Sequence, residues 1–296
     1  MFGNFFNRMY SGKNRSDFTE DQLPNNRFAL FFDMLKIRFF KLIQLNLMFL
    51  IFLLPLIFFL WSFVMYLQIE TDAELVMQML KQTLVFCIPC FGIAGIGMTG
   101  IVYIARNWAR DEHAWVWSDY IDTIKTNWKQ GLILGLGNGL LIAVMVNAGI
   151  FYAVNTHINS WFYALGWTMV VLLAVLAMIN IYIWPMIITY DLKLTQQIKN
   201  AVVLALGRLP FSLLFLVITL LPGVVGLLFM QYQYVALVVF LYYALFGFAF
   251  HAFINVSYTN AVFDRFINAR IEGARLNQGL RVEDDDEYDD EEGEEA

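Results

Sequence analysis

Charge is scarce in this sequence. Charged residues make up 15% of its 296 positions and hydrophobic residues 59%, where soluble domains average ~25% and ~45–50%. The little charge present is also uneven, because residues 283–296 hold 11 of the 25 acidic side chains. Without that tail, 14 acidic residues face 19 basic ones and the formal charge changes from −6 to +5. Four stretches contain no Asp, Glu, Lys or Arg at all: Leu42–Ile69, Gln82–Ala105, Gln130–Tyr190 and Leu209–Phe263. Too few charges remain to coat a soluble core of this size. The composition excludes a soluble globular protein and points to an integral membrane protein.

Other absences narrow the chemistry. Two cysteines exclude a disulfide framework. No GxxxxGK[ST] run is present, which excludes ATP hydrolysis by a phosphate-binding loop. No secretory signal peptide is expected. The first long apolar run begins at Leu42, behind some forty mostly polar residues, and it exceeds the ~7–15 residues of a signal core.

The charge-free stretches set the number of membrane crossings. A crossing helix needs ~20 apolar residues, so the first two stretches hold one helix each. The third and fourth, with 61 and 55 residues, hold two helices and a turn each. Asn155-Thr156-His157-Ile158-Asn159-Ser160 marks one turn and Gln231-Tyr232-Gln233-Tyr234 the other. The expected fold is all-α, with six spans near 42–67, 84–105, 132–154, 161–188, 209–230 and 235–256. Pro55, Pro185 and Pro222 fall inside spans and read as kinks whose freed carbonyls neighbouring helices satisfy.

Orientation follows from the basic residues. Segment 1–41 carries seven, the 106–130 loop four, the 191–208 loop three and the segment after the last span four; the loops on the other side contribute only Lys81. By the positive-inside rule both termini are cytoplasmic; the plasma membrane is the expected location.

The segments outside the spans are short and amphipathic. Residues 1–41 read as a cytoplasmic segment ending in an interfacial helix, with Phe28, Phe31, Phe32, Leu35 and Phe39 at helical spacing. The 106–130 loop holds Trp108, Trp115, Trp117 and Trp128, and Asp119 is the expected N-cap of a helix there. Leu194, Ile198, Ala201 and Ala205 mark another elbow helix. On the far side, Thr71 and Glu74 have capping-box spacing. Residues 257–282 read as a cytoplasmic helix, and 283–296 as a disordered acidic tail, either solvated or a contact for a basic partner surface.

Candidate sites are few. No span interior holds Asp, Glu, Lys or Arg, the residues that usually mark ion and proton pathways. Asn46, Asn138, Asn147, Asn180, His251 and Asn255 either line a polar cavity or hydrogen-bond between helices. Gly131, Gly135 and Gly139 form a small-residue stripe on span 3, and Gly92, Gly95 and Thr99 offer a matching stripe on span 2. Cys87 and Cys90 sit in an apolar span, not in the electropositive, partly exposed setting of a redox pair, though the outer face would allow them to bridge. Asp111-Glu112-His113 cannot easily converge on one point. No catalytic, metal-binding or cofactor-binding residue is assigned, and no nucleic-acid surface. The cytoplasmic elbow, through Arg106, Asn107, Trp117, Asp119, Trp128 and Lys129, is the expected contact for another protein.

Several segments together resemble a known family. They are Asn25-Asn26-Arg27-Phe28 with Phe31–Lys36, Ile88-Pro89 through Gly95, Tyr103-Ile104-Ala105-Arg106-Asn107 and Val116-Trp117-Ser118-Asp119-Tyr120. Asn127-Trp128-Lys129-Gln130-Gly131 and Lys199-Asn200-Ala201 with Leu209-Pro210 complete the set. The chain resembles the YesL family of bacterial multi-pass membrane proteins of unknown molecular function, over all but the acidic tail. The resemblance implies an accessory role in carbohydrate uptake or sensing, beside ABC importers or sensor kinases, and carries over no catalytic or ligand residue.

The expectation is therefore a non-enzymatic accessory or regulatory membrane protein that works through protein contacts. A facilitative channel or transporter with an Asn/His-lined cavity is the alternative, and a membrane-embedded enzyme the third choice.

Overall fold

The computed structural model describes residues 23–229 and 231–281, so 1–22 and the acidic tail lie outside the described residues. The described chain is helical and contains no strand. Its helices are α1 (Arg27–Tyr66), α2 (Ala73–Trp108), α3 (Val116–Val154), α4 (Trp161–Thr189), α5 (Leu194–Gly207), α6 (Leu209–Leu228), α7 (Gln233–Tyr242) and α8 (Phe248–Phe266). A π-helical segment, Tyr243–Gly247, joins α7 to α8 without a break. Six units are long and apolar enough to cross a membrane: α1 to α4, α6, and the continuous run Gln233–Arg270. Both described ends, the α2–α3 turn and α5 therefore share one side, called the inner side below.

Two elbows differ from their expected form. The segment before span 1 is not a separate interfacial helix; α1 starts at Arg27 and runs unbroken through the span. Asn26 caps it, its Oδ1 accepting from the Ala29 amide at 2.8 Å. No glycine or proline interrupts Arg27–Leu42, and Leu30, Met34, Arg38, Leu42, Leu45 and Phe49 form one continuous buried stripe. The elbow before span 3 is likewise the first part of α3. Its N-cap is Trp115, not Asp119; Asp119 lies inside the helix and its Oδ2 accepts from the Trp115 amide at 2.9 Å.

Two further boundaries are corrected. On the side opposite the two described ends, Asp72 caps α2, accepting from the Glu74 and Leu75 amides at 2.8 and 3.2 Å. The Glu70 carboxylate binds the Thr71 and Asp72 amides, so no Thr71–Glu74 box forms. Residues 257–282 are not a helix of their own. The last span continues to Phe266, a single 3-10 turn follows at Asn268–Arg270, and the rest is turns. Gly273, Asn277 and Gly279 hold positive φ there (75°, 51° and 81°), a conformation that ends a right-handed helix.

The core lies toward the inner half. Leu42 and Leu45 of α1, Ile101, Ile104 and Trp108 of α2, Tyr182 and Met186 of α4, and Phe253 and Phe263 of α8 are all buried. By contrast α6 buries only Ser212 and Leu216, and α7 buries nothing. That hairpin leans on the bundle from one side.

Candidate functional site

The tightest contact in the fold is between α2 and α3, and it depends on missing side chains. A Cβ on Gly95 would stand 2.9 Å from Gly135 Cα, and one on Gly131 would stand 2.6 Å from the Gly95 carbonyl oxygen. A Cβ on Gly135 would meet the Phe91 carbonyl oxygen and lie 2.9 Å from Gly92 Cα. Gly139 is closed in by Phe91 Cβ at 2.9 Å, and Gly92 by Leu136 Cδ2 at 2.9 Å. No side chain fits in this seam, so two backbones meet directly, as in small-residue packing of membrane helices. Tyr120 extends the contact inward, donating its hydroxyl to the Gly97 carbonyl at 3.2 Å. Cys87 and Cys90 are buried in α2 and unbridged; the Cys90 thiol donates to the Phe86 carbonyl at 3.2 Å.

The six polar residues singled out inside the spans do not converge on one cavity. Asn138 and Asn180 form a reciprocal amide pair between α3 and α4, at 2.8 and 2.9 Å. The Asn180 carbonyl oxygen also accepts from Trp184 Nε1 at 2.8 Å. Asn255 Oδ1 lies 3.2 Å from the Thr219 hydroxyl, which is also 2.8 Å from the Phe215 carbonyl, and this contact joins α8 to α6. His251 Nε2 and the Tyr242 hydroxyl lie 2.7 Å apart across the π-segment. Asn147 bonds its own helix at Ala143 and faces an outer cavity of about 450 Å³ that Met77, Lys81, Phe151 and Asn155 help to line.

Asn46 has the most specific task. It is fully buried, and its Nδ2 donates to the Tyr243 and Ala244 carbonyls, both at 3.0 Å, while its Oδ1 accepts from the Ala249 amide at 3.1 Å. A π-turn shifts the helical hydrogen-bond register and leaves backbone groups without intrahelical partners. One amide side chain from α1 bonds three backbone groups at this turn.

A second polar cluster joins α4, α6 and α8, and the sequence did not suggest it. The buried Tyr182 hydroxyl lies 2.8 Å from Ser212 Oγ and 2.9 Å from the Tyr258 hydroxyl. Ser212 uses its own proton on the Arg208 carbonyl at 3.1 Å. Tyr182 therefore donates to Ser212 and accepts from Tyr258.

At the inner end a cluster of charge closes the bundle. Arg27 at the start of α1 forms an ion pair with Asp264 near the end of α8. Asp264 also accepts from Asn268 Nδ2 at 2.6 Å and from the Asn277 amide at 3.2 Å. The Tyr190 hydroxyl donates to Asn268 Oδ1 at 2.7 Å. Burial pushes the Tyr190 phenol up to about 12; the Asp264 charge adds to this, and Arg110 and Arg106 oppose it. The segment after α8 folds back over the site, with the Arg281 amide on the Pro24 carbonyl at 3.2 Å. Arg27 and Asp264 are 237 positions apart. The only hint in the sequence is that Asp264 is the first charge after a 55-residue run.

The elbow residues divide between core and surface. Asn107 is buried, and its carbonyl accepts from the Arg110 and Glu112 amides at 3.1 and 2.8 Å, closing the α2–α3 turn. Arg106 is half-buried beside it. Trp108 is buried under the Arg38 guanidinium, 5.5 Å from its ring. Trp117 and Trp128, in contrast, are 65% and 43% exposed, with Lys129 Nζ 5.7 Å from the Trp128 ring centre.

Among known proteins, no curated sequence and no solved structure matches this chain. One family model does match, over a region that takes in the α1 span, all of α2, the inner turn and most of α3, and so the whole glycine seam. Residues 42–147 match the model of the DUF624 family, described as a protein of unknown function.

Proposed function

We propose that this protein is an accessory or regulatory membrane subunit that acts through protein–protein contacts at its inner elbow, without catalysis of its own. The observation that carries this reading is the exposure of Trp117 and Trp128 on the first turns of α3. Tyr120 on the same turns is buried against α2. The elbow is thus anchored through Tyr120 while the nearby indole rings of Trp117 and Trp128 stay exposed, and tryptophan is enriched at the energetic centre of protein interfaces. Asn46, Asn138, Asn147 and Asn180 support the same reading, since each is hydrogen-bonded to protein atoms.

The finer reading places the inner side in the cytoplasm of a plasma-membrane protein, from the eighteen of nineteen basic residues on that side. The likeness to the YesL family points to carbohydrate uptake or sensing, and to ABC importer or sensor-kinase components as the partners to test first. The test is co-purification in mild detergent, with the double variant Trp117→Ala/Trp128→Ala as comparison. A specific companion protein held by the native chain and lost from the variant is expected. An identical set of companions from both would overturn the assignment.

A further inference from the structure

The inner charge cluster holds more positive charge than its structural role uses. Asp264 is fully engaged by Arg27, Asn268 and the Asn277 amide. Two more arginines lie on the last turn of α2 and just after it. Arg110 is within electrostatic reach of Arg27, Arg106 and Tyr190, and Arg106 of Tyr190 and Glu112. Among the described residues neither Arg106 nor Arg110 has a carboxylate at salt-bridge distance, and Arg106 Nε is buried without an acceptor. Two other polar side chains toward the inner end are also buried without partners. Trp108, between the two arginines in sequence, is 1% exposed and its Nε1 has no partner. Asn260, one turn before Asp264 on α8, is 1% exposed and neither amide atom has a partner.

Buried donors without acceptors cost about 1–3 kcal/mol each, and like charges this close repel. An anion at this point would relieve both. Guanidinium groups match phosphate oxygens with paired N–H donors, and basic pockets between the inner ends of membrane helices suit phospholipid headgroups. We propose that the inner end of the bundle binds a phosphate group through Arg106 and Arg110. The phosphate belongs either to an anionic lipid of the inner leaflet or to a soluble phosphate compound.

The experiment measures thermal unfolding of the full chain, stripped of lipid in detergent. Two probes are used: phosphatidylglycerol in mixed micelles against diacylglycerol, and inorganic phosphate against chloride at equal ionic strength. A rise of several degrees with phosphatidylglycerol alone assigns the site to a lipid headgroup; a rise with inorganic phosphate as well assigns it to a soluble anion. In either case the rise disappears in Arg110→Gln and Arg106→Gln and persists in Lys125→Gln, an exposed inner-side lysine. Arg110→Gln removes no hydrogen bond among the described residues, so it tests the site even where Arg106→Gln fails to fold. No rise with either probe, a rise that Arg110→Gln retains, or one that Lys125→Gln also loses would overturn the proposal.

Discussion

Asn46 and Tyr243 are joined across the bundle, the side-chain amide of one donating at 3.0 Å to the backbone carbonyl of the other. This bond and its two companions on Ala244 and Ala249 hold the π-segment of the last span against the first. Replacing Asn46 by Leu keeps the branching of the side chain but removes all three of these hydrogen bonds from a fully buried position. An unsatisfied buried group costs about 1–3 kcal/mol, so Asn46→Leu lowers the unfolding temperature well below that of a lipid-facing control such as Leu47→Ala. Equal stability of the two variants would show that the π-segment holds itself.

The glycine seam makes a sharper pair. Gly135 and Gly137 are two residues apart on α3, yet a Cβ at 135 runs into the Phe91 carbonyl and a Cβ at 137 has no neighbour within 4 Å. Gly135→Ala therefore forces α2 and α3 apart and destabilises the protein. Gly137→Ala is neutral or stabilising, by up to about 1 kcal/mol from helix propensity. Thermal melts of the two variants in one detergent decide it; similar melts would mean that α2 and α3 do not meet along this line.

The reciprocal pair Asn138–Asn180 predicts coupled losses. Each single change to Leu leaves a half-buried amide facing a methyl group, and the double change leaves none, so the double variant loses less than the two singles together. Interhelical hydrogen bonds in membranes average ~0.6 kcal/mol, which sets the scale of the coupling. Asn180→Leu also frees the Trp184 indole and costs more than Asn138→Leu. Additive losses in a double-mutant cycle would separate the two residues.

The crossings were legible because absence of charge is a one-dimensional signal, readable without knowing what faces what. The small-residue stripes were legible for a related reason: four-residue spacing puts Gly131, Gly135 and Gly139 on one face whatever the partner is. The elbows before spans 1 and 3 read as separate helices because their amphipathic pattern has its own period, whereas the Leu194–Gly207 elbow is a separate helix as expected. What decides continuity is the lack of any breaker between elbow and span, as in Arg27–Leu42. The C-terminal helix was misread for the opposite reason, since Gly273, Asn277 and Gly279 break it. The amide partnerships were out of reach. Spacing gives the face of one helix and not its neighbour, and the partner of Asn46 is a backbone irregularity that no side chain announces. The ion pair of Arg27 and Asp264 required the closed bundle.

Six crossings with both ends on the inner side underlie every assignment above, and topology reporters test them directly. Fusions after Gln78 and Asn159 should report an extracytoplasmic position, and fusions after Asp122, Gln197 and Gly279 a cytoplasmic one. A cytoplasmic signal at Asn159 would contradict the fold, because α3 and α4 could then not form the hairpin that brings Asn138 to Asn180.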